Sequence, residues 1–142
     1  MQNKIRTNNS DLEPRSGIWL ALSDLYLDTE LSDNDFKYIA KKIQESPYDI
    51  EEVKHINRYE LYPLLYPNLL SIFGIWSGFD KEELAASITD RLSRKSWINN
   101  LYTNILYVLL HRKYFHAHFA VIEKYLSKPH LMKFFMEKKL HR

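Results

Sequence analysis

The sequence predicts an all-α fold, a single-domain bundle of six to eight helices. Three observations point there. Acidic or hydroxyl residues that cap helices stand repeatedly just ahead of apolar residues spaced three and four apart. No stretch alternates apolar and polar residues between hairpin turns, so no strand is predicted. Apolar residues make up 45% of the 142, with three glycines and five prolines, a composition that packs a core rather than staying disordered.

The elements follow in order. Residues 1–13 are polar and read as a flexible leader, and residues 14–142 as the helical domain. Pro14 can open the first helix, where its missing N–H costs nothing. From Ile18 to Leu27 the polar exceptions are Ser23 and Asp24, which predicts a helix central to the core. Ser32 is the expected N-cap of the next, with Asp33 and Asp35 in its first turn and Phe36, Ile39, Ala40 and Ile43 facing inward. Asp49 and Glu52 form a capping-box pattern for a third, with Val53 and Ile56 on its apolar side. Pro63 is expected to end that helix or begin another. Leu64, Leu65, Leu69, Leu70 and Phe73 continue the core up to Gly74, a natural stop. Asp80 and Glu83 repeat the capping pattern for a helix reaching about Arg94. Ser96 caps a further helix whose apolar run ILYVLL, residues 105–110, is expected to be buried. Separate helices are predicted over residues 114–126 and from Ser127 onward.

Charge divides the domain into an acidic and a basic part. Residues 1–92 hold 10 Lys/Arg against 16 Asp/Glu, a net of −6, whereas residues 93–142 hold 10 against 2, a net of +8. Such asymmetry speaks to partners rather than to fold. Cysteine is absent, which excludes disulfides, zinc–thiolate sites and cysteine nucleophiles and suits a reducing, cytoplasmic setting. The first 17 residues lack the apolar run of a secretory signal. The longest nearly uncharged stretch, residues 61–79, is broken by Pro63, Pro67, Asn68 and two glycines, so no membrane span is expected.

Motifs of catalysis are not found. Residues 28–39 miss the calcium-loop pattern, since Ile39 stands where the twelfth ligand belongs and Asp33 where glycine does. His111, His116 and His118 are not spaced to converge on a metal from a helix, and no phosphate-cradling or nucleophile-elbow motif occurs. We therefore expect no catalytic residue, no metal and no cofactor. A paired-carboxylate hydrolase using Glu30 or Glu60 is the weakest of the alternatives.

The acids themselves, Asp28, Glu30, Asp33 and Asp35, with Asp49, Glu51 and Glu52 as a second cluster, have two stronger readings: helix-end electrostatics and a docking surface for a basic protein partner. Trp76, bracketed by Gly74 and Gly78, is either a binding anchor or a lid over the core. Arg112 and Lys113 beside Tyr114 and Phe115, with Lys138, Lys139 and Arg142 at the end, give an alternative nucleic-acid-binding surface. These cations equally suit a solvated helix face.

Three ordered segments carry a resemblance. They are Trp19, Leu22, Ser23, Leu25, Tyr26, Leu27, Asp28, Thr29 and Glu30; then Ser46, Pro47 and Tyr48; then Glu60, Pro63, Asn68, Leu69, Gly74, Trp76, Gly78 and Phe79. In these the chain resembles a small uncharacterised bacterial domain family over residues 15–92. The resemblance implies a bacterial intracellular module and no mechanism. By analogy with compact bacterial proteins of this size, the leading expectation is a non-enzymatic protein-binding module, an immunity protein that neutralises a toxin by occlusion.

Overall fold

The computed structural model describes residues 9–27, 30–70, 80–94 and 96–128. These residues are helical throughout, apart from short connections, and contain no strand. They form five continuous helical rods where the sequence suggested six to eight. Helix α1 (Asn9–Ser23) runs into a single 3-10 turn, Asp24–Tyr26. Helix α2 is Asp33–Glu45. Helix α3 is α-helical over Ile50–Ile56, widens into a π turn over Asn57–Leu61, and is α-helical again over Tyr62–Leu70. Helix α4 is Lys81–Ser93. Helix α5 is α-helical over Trp97–Leu106, carries a second π turn over Tyr107–His111, and continues over Arg112–Leu126.

The caps stand where the capping residues placed them. Ser32 accepts from the Asp35 backbone N–H while the Asp35 carboxylate accepts from the Ser32 N–H. Asp49 and Glu52 form the same reciprocal pair. Asp80 accepts from the N–H groups of Glu82 and Glu83, and Ser96 from that of Asn99. Each such cap is worth about 1 kcal/mol.

The prolines behave differently from expectation. Helix α1 begins at Asn9, so Pro14 lies inside it. Pro63 does not break α3, because the preceding π turn accommodates it. The Tyr62 N–H reaches back five residues to the Asn57 carbonyl, which shifts the hydrogen-bond ladder just before the residue that has no N–H to offer. The second π turn likewise joins residues 97–106 to 112–126, which the sequence separated. It ends at His111, whose φ of −123° and ψ of −3° depart from helical values.

The core is built from Ile18, Trp19, Leu22 and Leu25 of α1 and its turn, the inward face of α2, Val53, Ile56, Leu61 and Tyr62 of α3, Ile88 of α4, and Phe115, Phe119 and Ile122 of α5. Helix α1 packs against α2, α4 and the π turn of α3, and α2 lies along the second half of α5. Two expectations of burial fail. Leu70 is half exposed, as are Ile105, Val108 and Leu110 of the ILYVLL run, and its Leu109 is more exposed still. Among the described residues, the first half of α5 meets the rest of the body chiefly along Tyr62–Leu70, which leaves most of its apolar circumference uncovered by them.

Candidate functional site

Polar groups enter the core at the two π turns. Asn57 and Glu60 are buried in the first and His111 in the second. Widening a helix by one residue redirects the side chains that follow, and such turns concentrate at functional sites. The Glu60 carboxylate accepts from Trp19 Nε1 at 3.0 Å, from Arg15 Nε at 2.8 Å, and from an Arg15 terminal nitrogen at 2.5 Å. This ties α1 to α3 through a two-pronged, largely dry ion pair whose every oxygen is occupied. Glu60, the alternative catalytic acid, is therefore committed to a structural network. Tyr26 donates to Asn57 Oδ1 at 2.7 Å, and burial pushes its phenol well above the ordinary range. Asn57 Nδ2 is buried with no partner among the described residues.

Tyr62 and His111 link the two π turns. Their side chains are 2.5 Å apart, hydroxyl to Nδ1. Burial, with the neighbouring Tyr66 and Tyr107, pushes the Tyr62 phenol up to about 12, and burial lowers His111. Burial thus favours the neutral form of both groups, which share one hydrogen bond. The rings of Tyr107 and Phe115 pack edge-on to Tyr62 and stack on each other at 5.6 Å.

The acids nominated from sequence are dispersed. Asp35 and Asp49 serve as cap partners, as does Glu52, and Glu51 pairs with Lys54 at 3.3 Å. Glu30 and Asp33 are exposed. Asp33 sits near the Tyr125 hydroxyl, at the far end of α5. Asp28 and Trp76 lie outside the described residues, as do Lys138, Lys139 and Arg142. Asp24, a polar exception in an apolar segment, is not among the residues expected to bind a partner. Burial, and then the charge of Asp35, raise its carboxyl to about 6. Arg112 and Lys113 are exposed at the start of the last segment of α5. No group of three His, Asp or Glu side chains suited to a metal ion occurs among the described residues, and no helix among them is long and apolar enough to cross a membrane.

The feature that sequence reasoning misassigned is the apolar face of α5. Trp97 is 74% exposed and Leu109 73%, with Ile98, Leu101, Tyr102, Ile105, Val108 and Leu110 each about half exposed. They recur at three- and four-residue steps over three turns, and residues 97–110 contain no charge. These eight side chains offer on the order of 900 Å² of apolar surface, where one side of a standard protein interface buries roughly 800 Å². Isolated apolar residues are ordinary on a surface, whereas a contiguous stripe of this size is not. Cations border it. Arg91 of α4 reaches Asn100 Oδ1 at 3.3 Å, and Lys113 follows Leu109 by one turn; neither has a carboxylate partner among the described residues.

No curated protein matches the chain at a significant level. No solved structure does either. A family model described as a domain of unknown function, DUF7079, matches residues 13–125, from the start of the packed part of α1 almost to the end of α5. That span includes both π turns, the buried polar network and the whole apolar face, and the chain belongs to the DUF7079 family.

Proposed function

We propose that the protein is a non-enzymatic protein-binding module of the cytoplasm, and that its partner docks on the apolar face of α5. The observation that carries this reading is the uncharged, half-exposed stripe from Trp97 to Leu110 on an otherwise well-packed helical body. Trp97 and Tyr102 are the side-chain types that supply most binding energy when buried at the centre of an interface. The bordering cations, Arg91 and Lys113, select a partner whose own apolar surface is edged by carboxylates. A toxin with such a surface, occluded by this protein in the manner of an immunity protein, is one partner of that description.

The acid cluster first expected to grip a partner supports the reading less. Asp33 lies near Tyr125, 16 residues beyond Leu109, which is about 24 Å along a helix, so the acids do not rim this face. A nucleic-acid reading draws, among the described residues, on Arg112 and Lys113 alone.

A photo-reactive residue placed at position 105 of the full chain, cross-linked in the host cell and mapped by mass spectrometry, tests the proposal. The expected adduct is a protein segment that is apolar and flanked by Asp or Glu, formed in the parent and abolished by Leu109→Asp. Adducts to a second copy of this chain, or to lipid alone, would overturn it.

A further inference from the structure

A groove of about 380 Å³ lies between α3 and the π turn and last segment of α5. We propose that it binds a small organic phosphate, with the phosphoryl group held by Arg58 and Arg112.

Arg58 is the central observation. Its guanidinium is stacked over the Tyr107 ring at 4.8 Å and lies 5.3 Å from the Tyr59 ring centre. Rings cover the face of a guanidinium and leave its N–H edge available. Among the described residues no carboxylate pairs with Arg58, and its buried Nε has no hydrogen-bond partner. A buried donor on a permanently charged group is costly when left unmade, so its persistence calls for an acceptor. Arg112 lines the same groove, exposed and without a carboxylate partner among the described residues. Two guanidinium groups converging on one groove match the oxygens of a phosphoryl dianion, which accepts paired N–H donors. His55 and His116 also line the groove.

The remaining charges decide the size of the ligand. Lys54 is already bound by Glu123 at 2.7 Å and Glu51 at 3.3 Å, and both carboxylates line the groove. They repel a polyanion running along the groove and tolerate one compact phosphate beside the arginines. The volume is at the lower end of the range for small-molecule sites, near 300 Å³. The exposed ring of Tyr59 offers a surface on which the organic part can stack. The groove therefore favours a phosphomonoester over a nucleic-acid strand, and it is distinct from the apolar face.

Titration of the full chain with phenyl phosphate, followed by the NMR signal of the Arg58 Nε–H, tests this. The expected result is a saturable shift of that signal. Affinity should fall at least tenfold in Arg112→Gln, whose exposed side chain can be removed without disturbing the core, and less than twofold in Lys113→Gln. Inorganic phosphate should bind the same site more weakly, because it lacks a group to stack. The inference is overturned by an unmoved Arg58 signal, by equal losses in Arg112→Gln and Lys113→Gln, or by a single-stranded oligonucleotide binding the groove more tightly than phenyl phosphate does.

Discussion

The two halves of α5 carry similar apolar spacing to opposite fates. Residues 97–110 and 112–126 are both rich in aromatic and branched side chains, and each repeats them at helical spacing. In the second half Phe115, Phe119 and Ile122 are buried against α2, and Tyr114 donates to the Leu25 carbonyl at 2.6 Å. In the first half Thr103 is the fully buried residue, and Trp97, Tyr102 and Leu109 face outward. Between them lies the π turn ending at His111, which changes the direction in which successive side chains point. The contrast teaches that an apolar stripe records a need for a partner surface, but not whether that surface belongs to the same chain.

Truncation should separate the halves most sharply. Phe115→Ala removes a ring with no exposure that touches Tyr26, Tyr62 and Tyr107, and should destabilise the protein by about 3–5 kcal/mol in chemical denaturation. Leu109→Ala in the other half should change stability by no more than about 0.5 kcal/mol. Equal losses would mean that the first half is packed after all.

Glu60→Gln tests the buried ion pair that anchors the first π turn to α1. It leaves Arg15 without its charged partner and should cost about 3 kcal/mol, with the loss visible as a lower Tm. At the joint between the halves, His111→Phe leaves the buried Tyr62 hydroxyl unpaired and should cost about 1–2 kcal/mol. Because burial lowers His111, the unfolded chain takes up its proton more readily. Stability from this group is therefore complete above the ordinary histidine value of 6.5 and declines as pH falls below it. His111→Phe should flatten that part of the pH–stability curve.

The smallest effect concerns Asp24, at the turn preceding the Leu25 carbonyl on which Tyr114 docks. Its carboxyl is raised from 3.8 to about 6, so the folded protein binds this proton more tightly than the unfolded chain does. The native state is favoured by this group below 3.8 and loses that contribution as pH rises through 6. Asp24 retains contact with solvent, so the full shift overstates the energy; Asp24→Asn should stabilise by up to about 1 kcal/mol at pH 7.5 and by nothing at pH 3.5. A destabilised variant at pH 7.5 would show that the charge is used.

Much of the fold was legible from local chemistry. Ser32, Asp49, Asp80 and Ser96 announce their helices because a cap needs only a short side chain and a free N–H within three residues. The inward face of α2 followed from spacing, and the central place of α1 from its nearly unbroken apolar run. Pro63 misled because a π turn, which proline rules do not anticipate, preserves the helix around it. The site was less legible. Glu60 meets Arg15 across 45 residues, and Tyr62 meets His111 across 49, partnerships that no local pattern encodes.

The sequence by itself determined that the chain is helical, where most of its helices begin, and that its two ends differ in charge, since propensity, capping and composition act within a few residues. Tertiary structure alone decided that four of the six residues of ILYVLL face outward, that Glu60 is an anchor, and that Arg58 is left with an unused donor beside aromatic rings. Burial and pairing depend on which distant surfaces meet, and that is settled by packing the whole body at once.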